Sequence, residues 1–364
     1  MVKFDEIISA SFEWTTAVLF RPFSPRKWLI LTFIAFLAGS IAGGNPNFNF
    51  RDRGNHAKKA SAAQQHERNS FQSAKIETPK EKPVSKEEIK KFFKKSATAP
   101  VIFIVIPAVI AGVILFLTLL WVCSRFYFIF LEDIAKNDAS IVAPFRSNKD
   151  IGNSLFKFNL IFIFLLICII ALTFFMGFAS LSKVGAFNNN ASLGFWKIVS
   201  ALLPAILLSI FIILMSALIG LIMNDFVTVV MFKDRERIAP AIKKAFSVLA
   251  LNKLNFFLYV LIKIGLVIVS SIIYSITSFV AAMGLIFPAG IIASIFYFIY
   301  KVIPKDAQSI FIVAVVVMAV PVVLFLWYCL MCMYLPFAVF FRVFSVKFFG
   351  KLDGRYNLFK YSNF

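Results

Sequence analysis

Three ionisable residues stand inside otherwise apolar runs: Arg125 in WVCSRFYFIF, Asp225 in LIMNDFVTVV and Lys263 in FLYVLIKIGL. A charge at the centre of a bilayer costs several kcal/mol, so such residues are the first place to look for function. Arg125 lies eight positions before Asp133, Asp225 eight before Lys233, and Lys263 about seven into its own apolar run. At ~1.5 Å of rise per residue these offsets put all three roughly 10–13 Å inside one boundary. They can therefore meet, with Asp225 accepting from Lys263 or Arg125. Two arrangements fit: an intramembrane ion pair lining a cavity for a proton or an anionic headgroup, or two cations that snorkel outward while Asp225 caps locally.

Enzyme chemistry has little to work with. The chain has no HExxH, no glycine pattern of a P-loop and no GxSxG, since Gly177-Phe178-Ala179-Ser180 lacks the closing glycine. Asp225 is the one acid well inside an apolar run, whereas an intramembrane enzyme needs paired carboxylates, a Ser/His pair or metal ligands at one depth. His56 and His66 have no carboxylate or cysteine at ligand spacing, so no metal site and no cofactor are expected. Cys123, Cys168, Cys329 and Cys332 all lie in apolar runs. The last two form a CxxC on a continuous helix, without the turn that would expose thiolates, and read as small buried hydrophobes.

These residues must be positioned by membrane helices. The 364-residue chain is 60% hydrophobic with 46 phenylalanines, and only 15% of it is charged. Soluble domains are roughly 45–50% apolar and about 25% charged. The net charge of +20 falls almost wholly outside the apolar runs. Arg26, Lys27, Arg235, Arg237, Lys243, Lys244, Arg342 and Lys347 flank those runs and are the expected contacts for anionic phospholipid headgroups. Nucleic acid is not an expected partner, because the aromatics lie in lipid-length runs rather than on a water-exposed basic face.

In chain order, residues 4–20 read as an interfacial helix, with Phe4, Ile7, Ile8, Phe12 and Val18 within reach of one face. Crossings are expected at about 28–42, 100–131, 158–181, 195–232, 256–280 and 309–341. Residues 43–99 form a polar insertion with thirteen Lys/Arg against six Asp/Glu, ending in an amphipathic segment at Val84–Lys95 with Ser85 and Glu88 as a capping box. Residues 281–300 are apolar but carry Gly284, Pro288 and Gly290. They can continue the fifth helix after a kink, lie in the interface or re-enter, and a kinked or interfacial extension is favoured. A basic aromatic tail occupies 350–364. The membrane domain is expected to span 1–349, with both termini cytoplasmic by the distribution of Lys and Arg.

A repeat is visible within this pattern. Pro107, Pro204 and Pro321 sit in IPAVI, LPAIL and VPVVL, and each helix leaves through an aromatic exit. Polar, proline-led segments follow the first two exits. The fold expected is all-α: six transmembrane helices as three units, each an interfacial helix followed by a hairpin. The second such segment, after the exit Phe232-Lys233-Asp234, is APAIKKAFSVLALNKLNFFLYVLI. There Ala241, Ala245 and Val248-Leu249 approximate the pattern A-x-x-x-S/A-x-x-L, although Phe246-Ser247 shift the serine. This passage resembles the membrane domain fused to some glycerophosphodiester phosphodiesterases and its uncharacterised stand-alone relatives. The resemblance implies a prokaryotic polytopic membrane module. It does not carry the phosphodiesterase activity, because the catalytic domain has no counterpart in the chain.

The expected function is a non-enzymatic scaffold or accessory subunit of the inner membrane, with other subunits or a second copy as partners. The alternative is a transporter or lipid-handling protein working through Arg125, Asp225 and Lys263.

Overall fold

The computed structural model describes residues 2–40, 98–184 and 195–359. The polar insertion before Thr98, with its amphipathic segment and both histidines, lies outside the described residues, as do the Asn188–Asn190 turn and the tail beyond Phe359. The chain divides into two units, residues 1–48 with 120–364 and residues 49–119. What is described of the second is the leading part of one long helix.

Every regular element among the described residues is helical. Helix α1 is Phe4–Phe20 and α2 is Pro25–Leu37; α3 is Thr98–Lys136, α4 Val142–Ser147 and α5 Lys149–Lys183. Helix α6, Phe195–Ile222, passes through a π turn at Met223–Val227 into α7, Thr228–Asp234. Helix α8 is Ile238–Leu251, α9 Lys253–Val302 and α10 Lys305–Leu352, and a 3₁₀ turn follows at Gly354–Tyr356. Local chemistry sets several boundaries. Pro25 occupies the first turn of α2, and the Ser24 hydroxyl accepts from the Lys27 amide. Asn137 and Arg235 take left-handed backbone angles where α3 and α7 stop.

Among the described residues, five helical spans are long and apolar enough to cross a bilayer: Val105–Lys136, Lys149–Lys183, Trp196–Asp234, Lys253–Val302 and Lys305–Leu352. Large apolar side chains such as Phe164, Phe175, Phe211, Phe287 and Phe325 stand exposed along them. Water would not tolerate that much bare hydrocarbon, so this is a multi-pass membrane protein. Helix α2 differs. The crossing expected at 28–42 begins earlier, at Pro25, and its thirteen-residue helix closes at Leu37 with Gly39 at positive φ. Thirteen residues give about 20 Å of rise, less than the ~30 Å of hydrocarbon.

Residues 281–300 belong to one continuous helix, since α9 runs unbroken through Pro288. Proline forfeits one amide, whereas opening the helix in lipid would strand several backbone groups. Likewise α10 carries Pro321 and Pro336 inside it and extends past Arg342 and Lys347 to Leu352. The tail then folds back. Tyr356 stacks on Phe349 at 5.0 Å and Phe359 packs on Trp14 at 4.6 Å.

The buried core gathers at the charged end of the helices. It contains Ile7, Trp14, Val18 and Leu19 of α1 with Phe128–Leu131 of α3. Phe226–Met231 of the π turn and α7, Ala241 and Ala245 of α8, and Val343, Phe344, Phe348 and Phe349 of α10 complete it. Helix α1 lies along α10, where Phe4 stacks on Phe348, while Phe12 faces outward. Helix α8 turns Ala241 and Ala245 inward and leaves Phe246 and Leu251 exposed.

Helices α3 and α5 approach closely at Gly152, where a Cβ would come within 2.7 Å of Arg125 Cγ and 3.3 Å of Arg125 Cα. Gly152→Val is expected to push the helices apart and destabilise the protein by about 1–3 kcal/mol. Thermal melts in detergent should show this as a lowered midpoint relative to Gly177→Ala, whose Cβ would meet its nearest neighbour at an ordinary 3.6 Å.

Candidate functional site

The π turn puts Asn224 and Asp225 side by side at the centre of the core. A π turn widens the helix by one residue, and here the Thr228 amide bonds Met223 O five positions back. Asn224 then offers its carbonyl to three side chains at once. The Tyr127 hydroxyl donates to it at 2.7 Å, Arg342 Nη1 at 2.6 Å and Thr228 Oγ1 at 2.6 Å. Arg342 also donates to the Tyr127 oxygen at 2.6 Å, lies 4.3 Å from the Tyr127 ring centre and reaches Thr228 Oγ1 through Nη2 at 3.4 Å. One carbonyl and one guanidinium thereby tie α3, the π turn, α7 and α10 together.

Asp225 faces the other way. Its Oδ2 accepts from the Tyr259 hydroxyl at 2.9 Å and from Lys263 Nζ, one turn further along α9. The Tyr259 oxygen also lies 2.8 Å from Ser345 Oγ of α10. Tyr259 is fully buried, stacked on Phe348 at 4.4 Å and packed on Phe226 at 5.2 Å. The carboxylate and its partners therefore sit behind an aromatic wall, where the attraction between opposite charges is far stronger than in water.

Of the three residues singled out from the sequence, the structure brings Asp225 and Lys263 together. Lys263 turns inward to the carboxylate instead of snorkelling, and Asp225 bonds across helices instead of capping its own. Arg125 does not join them. Its guanidinium lies 4.1 Å from the Trp121 ring centre and 4.7 Å from that of Phe145, and Nη2 donates to Asn153 Oδ1 at 3.1 Å. An offset along the helix does not say which side of α3 a residue faces.

The expected headgroup residues divide in two. Arg26, Arg237 and Lys243 stand exposed. The others are engaged within the protein, Arg235 while still exposed. Arg342 is 6% exposed and part of the network just described. Lys27 donates to Val18 O at 2.7 Å and Asn137 Oδ1 at 2.5 Å. Arg235 donates to Asn148 Oδ1 at 2.5 Å, and Asn148 in turn donates to Glu132 Oε2 at 2.6 Å. Lys347 sits over the Trp14 and Phe359 rings. Lys244 donates to Asp234 and Glu236 at 2.6 and 2.8 Å, and these hydrogen bonds to the two carboxylates hold its amine well above the usual lysine range.

Sequence reasoning took Arg342 for a headgroup contact and passed over Tyr127, Tyr259, Asn224, Thr228 and Ser345. For Arg342 a signal existed: it follows Pro321 at the same distance as Asp225 follows Pro204. The hydroxyls and the asparagine had none, since such residues in membrane helices commonly bond their own backbone.

The chain belongs to a family of unknown function (DUF7544), which matches it over residues 4–359. The match takes in every helix and every residue of the network. No curated protein and no solved structure matches the chain.

A double-mutant cycle checks the coupling of Asp225 and Lys263. Asp225→Asn and Lys263→Met, made singly, each leave the partner without its match; for a buried pair the cost is about 3–5 kcal/mol. The double variant should lose clearly less than the sum, because neither charge is stranded. Additive losses measured by detergent-solubilised unfolding would show that the two act independently.

Proposed function

We propose that the protein is a non-enzymatic component of the prokaryotic cytoplasmic membrane, a scaffold or accessory subunit that docks other membrane proteins. The observation that carries this reading is the role of the deep charges. Asp225 is consumed by Lys263 and Tyr259, and Arg342 by Tyr127, Asn224 and Thr228. These bonds fasten helices to one another instead of lining an open path. Beyond the core, α5, α6, α9 and α10 carry apolar side chains exposed on most faces, which suits lateral contact with lipid and with partner helices. Exposed Arg26, Arg237 and Lys243 suit anionic headgroups.

Six crossings in three repeats belong to the same proposal, with α2 and the chain leading from it as the first. The order of elements supports the repeat. Among the described residues, a short helix followed by two further helices recurs as α1–α2–α3, α4–α5–α6 and α8–α9–α10, and the last helix of each set holds Pro107, Pro204 or Pro321 inside it. Six crossings place both termini on one face, and the flanking Lys and Arg make that face cytoplasmic. The likeness of residues 232–264 to the membrane domain of some glycerophosphodiester phosphodiesterases enters as architecture alone.

A second reading, transport or lipid handling, draws on the π turn beside Asp225, since such turns and interrupted helices recur at functional sites.

Purification in mild detergent separates the two. The subunit reading expects stoichiometric co-purifying membrane proteins, and Asp225→Asn should lower stability and yield without changing uptake of any solute. A solitary protein whose reconstituted vesicles move a solute, with loss of movement in a folded Asp225→Asn variant, would establish the transport reading. Tags at the two ends should be protected and exposed together; opposite accessibility would remove the six-crossing arrangement.

A further inference from the structure

The helix pairs α5–α6 and α9–α10 differ in apolar length. In α5 and α6 the uncharged stretches, from Lys157 to Lys183 and from Lys197 to Asp225, hold 25 and 27 residues. In α9 and α10 those from Lys263 to Lys301 and from Asp306 to Arg342 hold 37 and 35. At ~1.5 Å of rise per residue the first pair measures about 40 Å and the second about 55 Å. Membrane helices lean by roughly 0–40° from the normal. The steepest such lean fits the first pair into ~30 Å of hydrocarbon but leaves about 10–12 Å of the second outside it.

The end left outside is not made for water. There α9 and α10 meet through Phe296 and Phe311, ring centres 6.3 Å apart, and the Gln308 amide donates to Tyr300 O and Ile303 O across the turn. Away from that contact, Ile295, Phe298 and Val302 recur at helical spacing along α9, as do Ile310, Val313 and Val317 along α10. Each of the six is more than half exposed. With on the order of 100 Å² bare on each, they come close to the ~800 Å² that each partner gives to a stable interface. A patch of that size beyond the lipid calls for a protein cover.

We propose that the cover is a second copy of the chain, its α9–α10 apex packed on this one across a two-fold axis. A two-fold interface must be complementary to itself. The apex meets that condition twice: its apolar stripes match one another, and the turn carries both signs, with Lys305 and Asp306 exposed side by side. Lys305 faces the partner's Asp306 in such a pair. The inference rests on length and exposure alone, so it stands or falls separately from the docking and transport readings.

The test uses the full chain in lipid vesicles and nanodiscs, because detergent would itself coat the apex. Under mild oxidation Val302→Cys should give a covalent product of twice the chain's mass, severalfold above Phe164→Cys, a bare position on α5. The unsubstituted chain sets the background from its own four cysteines. Photobleaching should count two copies per nanodisc. Phe298→Lys should reduce the count to one and abolish the Val302→Cys product, with an unchanged melting midpoint because the new charge lies outside the hydrocarbon. Should that variant fail to fold, Asp306→Lys on the exposed turn should cut the yield severalfold by setting like charges together. Single copies of the unsubstituted chain, equal yields from Phe164→Cys and Val302→Cys, or a product with a different protein would overturn the proposal. So would pairing that appears only after residues 49–90 are deleted, which would assign the apex to the chain's own polar insertion.

Discussion

A carboxylate that cannot reach water must be answered by a cation within the protein, and the fold is arranged to do this for Asp225. Once the π turn points Asp225 at α9, Lys263 has to enter rather than snorkel, and Tyr259 has to stand beside it. Tyr259 then fixes Ser345 and stacks on Phe348, which brings α10 into register. The aromatic wall of Phe226, Phe344, Phe348 and Phe349 excludes water and keeps the local dielectric low. Stranding either charge there is expensive, so the pair specifies one packing more than it adds stability.

The membrane explains why the core lies at one end. Between apolar helices in lipid there is no hydrophobic drive to associate, because lipid tails are as apolar as the side chains. Tight packing therefore concentrates where hydrogen bonds and charges are available, near the ends of α3, α7 and α10 and under α1 and α8. Toward the far ends, α9 and α10 stand largely bare to lipid. Helices of 50 and 48 residues rise about 75 and 72 Å, so they outrun the hydrocarbon and must tilt or project.

Arg125 and Arg342 show two ways to house a buried guanidinium. Arg125 lies between Trp121 and Phe145 and bonds Asn153, so ring faces supply much of what a carboxylate would. Arg342 has one ring, Tyr127, and three neutral oxygens. Both leave Nε without an acceptor. The difference lies in the surroundings: Arg125 packs against Gly152, leaving no space, whereas Arg342 is held by oxygens from α3, the π turn and α7.

Composition and run length were enough to establish helices in lipid, because hydrocarbon thickness dictates how many apolar residues a crossing needs and no water is present to satisfy an open backbone. Residue offsets likewise gave Arg125, Asp225 and Lys263 similar expected distances from a boundary, since rise per residue is constant along a helix. Facing and partnership were beyond that arithmetic. The π turn shifts the rotation of everything after Met223, and nothing in the letters MNDFV announces it. Arg342 read as a surface cation because the end of α10 was placed too early, and only packing against α3 turned it inward. Which charges pair across helices is a property of their approach in three dimensions, and the tertiary structure alone decided it.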